Sequence, residues 1–231
     1  MKWIDEQYLR DLGSYGKIDG IKAITVYVLI MISAFFQGWL YTTDASITIL
    51  NSVQIWIPLI LIVIFIGYLT ISKEKKDTIG ISFNNIKQSI VLGIIGGIVL
   101  LFLRTFLFYK MNGSEISILS PALINWIVFI VAAFEEEIIF RGYIQTRLSG
   151  LIKRQWIAGI INALFFLSIH YPVRWVVAGR VSIFDISIVH IISLLALHYF
   201  CDGVYKKTNC IWGAVILHII YNAIGAMIVL S

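Results

Sequence analysis

The chain has 231 residues, of which 59% are hydrophobic, 14% aromatic and only 13% charged, with a net charge of +5 and a mean hydropathy of +0.90. A soluble domain carries about 25% charged residues, so this composition excludes an ordinary water-soluble fold. The basic residues sit in short loops between apolar runs, where they act as orientation signals and not as a nucleic-acid footprint.

Residues 1–20 form a polar segment with Asp5, Glu6, Asp11 and Asp19. No cleavable signal core is visible, because the first apolar run is about 20 residues, longer than such a core, and should stay as an anchor. A spanning helix takes about 20 apolar residues, and every backbone group inside lipid must be paired within it. Runs at 21–42, 51–71, 88–109, 121–144, 155–171, 184–204 and 210–230 meet this. The expected fold class is therefore all-α, a polytopic transmembrane helix bundle with about seven spanning helices. Lys22 and Arg104 lie near run ends, where long side chains snorkel. Cys201 and Cys210 border apolar runs and read as buried thiols, not as a disulfide framework.

The densest charge cluster, Ser72-Lys73-Glu74-Lys75-Lys76-Asp77, lies between runs two and three. Arg147, Lys153 and Arg154 follow run four, and Lys206 and Lys207 follow run six. With seven crossings these three basic loops share one side, which the positive-inside rule makes cytoplasmic, with the N-terminus inside the cell membrane and the C-terminus outside. Arg174 and Arg180 then fall on the outer side. Pro172 closes a short run five, so the stretch 172–183 is expected to be re-entrant or partly buried.

Charged groups inside a span are costly and point to function. Run four holds Glu135, Glu136 and Glu137, then Arg141. Glu137 and Arg141 are four apart, share a helix face and stand in the favourable order for an ion pair. Glu136 is turned away by about 100° and is left without that partner, which suits a general base. The competing reading is a buried charge cluster that only ties helices together. Phe166 and His170 are one turn apart at the end of run five, as are His218 and Asn222 in run seven. His190 and His198, bracketed by Asp185 and Asp202, form a second polar set in run six, read as interhelical hydrogen bonding. From the basic end, at about 1.5 Å per residue, Glu136 lies about 10 Å deep, His218 about 12 Å and His170 about 22 Å. The three converge only if run five tilts or enters obliquely.

Glu136-Glu137-Ile138-Ile139-Phe140-Arg141-Gly142 resembles a Glu-Glu-x-x-x-Arg motif, Phe166 to His170 a Phe-x-x-x-His motif, and His218 to Asn222 a His-x-x-x-Asn motif. In this order, on successive membrane helices, they resemble the CAAX protease and bacteriocin-processing (CPBP, or Abi) family of intramembrane proteases, which includes the type II CAAX prenyl endopeptidases. The resemblance covers about residues 120–230, with Lys207 to Trp212 resembling the usual approach to the last motif. It implies a catalytic core over 120–231 behind accessory helices over 21–119.

The resemblance also implies roles. Glu136 would activate water, His170 would orient or polarise it, and His218 with Asn222 would stabilise the oxyanion, while Glu137, Arg141 and Phe166 support the geometry. The family is described both as metalloproteases and as metal-free glutamate proteases. His-Glu-x-x-His, the zincin pattern, is absent from the sequence, which favours no cofactor. Were zinc used, its ligands would be Glu136, His170 and His218. The expected partners are a peptide or protein substrate, cut near the cytoplasmic side, and membrane lipid, with no nucleic acid. Two other classes compete: a non-catalytic bacteriocin-immunity or regulatory membrane protein, and a transporter using Glu136 and the histidines as a proton relay.

Overall fold

The structure is a computed structural model that describes residues 3–43, 47–74, 76–112, 116–118 and 120–230; Lys75 of the first basic loop lies outside them. The chain opens with α1 (Glu6–Ser14), α2 (Lys17–Tyr41), α3 (Ile47–Ile71), α4 (Ile86–Asn112) and α5 (Leu123–Glu137). Without a break α5 passes into a π-helical stretch, Ile138–Gln145, and one closing turn, α6 (Thr146–Leu148). Then come α7 (Gln155–Ser168), α8 (Pro172–Ala178), α9 (Ile188–Thr208) and α10 (Trp212–Met227). A three-residue strand, β1 (Ile116–Ile118), pairs antiparallel with β2 (Ile228–Leu230).

The turns after α3, α6 and α9 meet at one end of the bundle. Asp5 N donates to Lys206 O at 2.9 Å, Ile211 N to Gly80 O at 2.9 Å, and Ser149 Oγ to Leu12 O at 3.2 Å. The β1–β2 pair lies at the other end; hydropathy led us to expect about seven spanning helices. Among the described residues five helices are long and apolar enough to cross a membrane: Lys17–Tyr41, Ser52–Ile71, Ile86–Phe106, Gln155–Ala178 and Ile188–Thr208. Only 11% of the α3 window is buried against 50% of the α9 window, so α3 lies at the lipid-facing rim and α9 in the middle. The protein is a multi-pass helical membrane bundle.

Close helix contact in lipid depends on small residues, because burial from water gives no drive there. A Cβ on Gly93 of α4 would strike the Gly213 carbonyl of α10, and one on Gly213 would strike Ser89 O. Glycine is what lets α4 and α10 touch backbone to backbone. At the looped end, Asp5 caps α1 by accepting from Gln7 N (2.8 Å) and Tyr8 N (3.1 Å). Tyr8 and Leu12 then pack on Tyr205, Ile211 and Val215, which ties the polar N-terminal segment down as an amphipathic helix.

Two readings change in detail. Arg147, taken from sequence as a loop charge, is fully buried on α6, because the helix continues past the end of the apolar run. Its guanidinium lies 4.0 Å over the Tyr143 ring and 4.7 Å over Tyr15, and it pairs with Glu74. The stretch 172–183 holds the short helix α8, seated against Gly38 of α2 through Val173 and Val176 and ended by Gly179 in the left-handed conformation (φ 63°). Trp175 Nε1 donates to Ser182 O at 2.8 Å and fixes the loop that follows.

Candidate active site

The site is built where the π-helical stretch leaves α5. A π turn inserts an extra residue per turn and frees carbonyls from the regular ladder, and such turns gather at functional sites. One displaced group, Phe140 O, accepts from Asn162 Nδ2 of α7 at 3.0 Å, and the same amide donates to Gln145 Oε1 at 2.8 Å. Asn162 therefore fixes the distorted turn from outside.

Immediately before that turn, Glu137 lies fully buried. Its Oε1 accepts a hydrogen bond from His218 Nδ1 at 2.7 Å and forms an ion pair with Arg141 Nη1 at 3.0 Å. The intrahelical pair expected from the i,i+4 spacing is present, and it also grips the histidine of α10. With Nδ1–H given to Glu137, a neutral His218 ring keeps Nε2 as a bare acceptor and donates there only when doubly protonated. That Nε2 stands 3.9 Å from Glu136 Oε2, too far for a direct hydrogen bond but within reach of one bridging water.

Phe166 packs at the centre of these groups. Arg141 Cζ lies 4.3 Å over its ring, and the rings of His170, His198 and His218 lie 5.2, 5.5 and 6.1 Å from it. A desolvated cation over an aromatic face contributes about 2 kcal/mol, so Phe166 positions Arg141 as well as filling space. His170 sits just beyond the end of α7, where its Nδ1 meets Phe166 O at 2.8 Å. The carbonyl can only accept, which puts the proton on Nδ1 and leaves Nε2 bare.

Glu136 and His170 line one cavity of about 540 Å³ together with Glu135, Gln37, Gln54 and Arg174. The depth conflict between Glu136 and His170 narrows because the helix that carries Glu136 continues through the π stretch and α6 to Leu148, which leaves Glu136 twelve residues from that end and in the same half as His170. Gln37 belongs to the last turns of α2, Gln54 to the first half of α3 and Arg174 to α8. All are remote from the basic loops. The cavity thus occupies the half opposite the basic end, whereas cutting was expected near that end.

Residues 118–224 match the family described as Type II CAAX prenyl endopeptidase Rce1-like. The helices that carry this site are similar to that family. The match begins just before α5, runs through α10 and spans a little under half of the chain. No curated protein matches the chain, and no solved structure does.

Within this Rce1-like region Glu136, Glu137, Arg141, Phe166, His170 and His218 come together. Asn222 lies one turn beyond His218 on α10, half-buried, and neither it nor His218 lines the cavity. Among the described residues no group of three or more His, Cys, Asp or Glu side chains is arranged to hold a metal ion. The Nδ1 atoms of His170 and His218 are bonded within the protein, to Phe166 O and Glu137, which leaves Nε2 as the free nitrogen of each ring. His198, read from sequence as an interhelical hydrogen-bonder, is fully buried with neither ring nitrogen bonded to the protein. Sequence reasoning missed the grip of Glu137 on His218, the role of Asn162 and the place of Glu135 in the cavity. The adjacency of Glu135 to the motif was the one available signal for the last.

Proposed function

We propose that the chain is an intramembrane endopeptidase that hydrolyses a peptide bond of a peptide or membrane-associated protein, with Glu136 as the base that activates water. The observation that carries this is the state of Glu136: its Oε2 is buried and without a hydrogen-bond partner, in a cavity shared with His170 and beside a histidine oriented by Glu137. Buried polar atoms are rarely left unpaired, and a water in this cavity would donate one hydrogen to Glu136 and the other to the bare Nε2 of His170.

In this reading a water gives its proton to Glu136 while His170 Nε2 holds its second hydrogen and orients the lone pair. The hydroxide attacks the scissile carbonyl, and Glu136 returns the proton to the leaving amine. The oxyanion needs donors. His218 supplies one only as imidazolium, and the Asn222 amide supplies another on the strength of the family resemblance. Glu137, Arg141 and Phe166 hold the ring and helix in register.

The test compares peptides released in membranes containing the wild type with those from Glu136→Gln, at equal amounts of folded protein. Products present with the wild type should fall by at least about 10²-fold with the variant. Identical peptide profiles would end the reading.

A further inference from the structure

We infer that Glu135 forms a subsite for a cationic side chain, lysine or arginine, of the substrate, next to the scissile bond; the inference deepens the protease reading of the same cavity. Glu135 precedes the motif acids, and neither the motif nor the mechanism uses it. It is 7% exposed, lines the same cavity as Glu136 and accepts from no side chain among the described residues. Ala132 lines the cavity with it and Val128 continues the row, at the i−3 and i−7 positions that share its helix face. The carboxyl is thus built into the wall facing α2 and α3, not turned toward lipid.

The surroundings say which charge it awaits. Gln37, Tyr41 and Gln54 are neutral, and Glu136 is a second acid one residue away. Arg174, the cation among the lining residues, sits across the cavity on α8 with Nη1 toward Asp185 O (3.5 Å), and no ion pair joins it to Glu135. A buried carboxylate without a partner is unfavourable, and a like charge beside it makes it more so. A lysine or arginine entering with the substrate relieves both penalties at once, whereas an acidic side chain adds a third negative charge. The cavity of about 540 Å³ has room for such a side chain beside a peptide backbone.

Binding can be read without catalysis. The Glu136→Gln protein, in nanodiscs, is titrated with a set of decapeptides that carry Lys, Gln or Glu at one position in turn. At one position Lys should bind at least about tenfold tighter than Gln or Glu, and in the Glu135→Gln/Glu136→Gln protein that preference should shrink to about twofold or less. Glutamine keeps the shape of the side chain, so loss of fold is not the expected route. The absence of a Lys preference at every position would overturn the inference, as would a preference that survives in the double variant. A Lys preference found in a protein whose wild type cuts nothing would sink the protease reading and leave this subsite standing. Cutting without any Lys preference would do the reverse.

Discussion

The two ends of the bundle treat polar groups in opposite ways. At the basic end several buried polar side chains reach across the sequence to a partner, although Arg147 Nε, Asp202 Oδ1 and Trp212 Nε1 have none. Ser89 Oγ donates to Cys210 O at 2.9 Å, Asn85 Nδ2 to Thr208 O at 3.0 Å, and Arg147 binds Glu74, Thr78 and Thr146. In the half that holds the cavity, buried atoms of Glu136, Glu137, Arg141 and His198 have no hydrogen-bond partner. An orphaned buried polar group costs about 1–3 kcal/mol, and the orphan on Glu136 differs from those at the basic end in that it borders a cavity. The basic end is a clamp and the other half is a site.

That contrast was only partly legible in the sequence. Hydropathy finds α2 to α4 and α9 to within a few residues, because a lipid-facing helix has to be apolar along its whole length. The pairing of Glu137 with Arg141 follows from spacing alone. The grip of Glu137 on His218 does not, since 81 residues separate them and only packing of α10 against α5 joins them. Arg147 misleads for the same reason: a lone basic residue just past an apolar run looks like a loop charge, and only the continuation of the helix through the π stretch carries it inside. The side of the cavity was also hidden. Counting from the end of the apolar run put Glu136 too close to the basic end, and the continuation of its helix to Leu148 carries it toward the depth of His170.

The largest expected effect is all-or-none and concerns which side each end faces. In a Cys-free background, Asn84→Cys marks the basic end and Val181→Cys the other, both at exposed positions. By the positive-inside rule, an impermeant thiol reagent on intact cells should label the second and spare the first. Substrate would then enter from the non-cytoplasmic half. Labelling of Asn84→Cys alone would turn the molecule over and put the cavity on the cytoplasmic side.

Next come the two buried arginines, one in each region. Arg141→Ala leaves Glu137 buried beside His218 without its cation, and Arg147→Ala strands Glu74 at the clamp. Breaking a buried pair this way costs about 3–5 kcal/mol, so both variants should lose folded protein, read as fluorescence-detected size-exclusion yield and melting temperature. They should differ in activity per folded molecule. Arg141→Ala also frees His218 and should fall by at least about tenfold, while Arg147→Ala should keep wild-type turnover. Equal losses of turnover would erase the distinction between clamp and site.

The smallest effect tests whether the two regions are independent at all. Ser89 Oγ donates to Cys210 O and accepts from Gly213 N at 2.9 Å and from Thr208 Oγ1 at 3.2 Å, where glycine brings α4 and α10 into backbone contact. Ser89→Ala removes the hydroxyl and leaves those buried partners short by one bond each, a loss of about 1–3 kcal/mol visible as a lower melting temperature. Thr208 Oγ1 can still donate to Val204 O at 2.8 Å, which keeps the cost toward the lower figure. His218 lies on α10 only five residues beyond Gly213, a little more than one turn. If the clamp merely holds α10 in place, turnover per folded molecule should be unchanged, because Glu137 fixes the His218 ring from the other side. A fall in turnover of tenfold or more at full folding would mean that the packing of α4 on α10 sets the position of His218, and the division between clamp and site would then run through α10 and not between the ends.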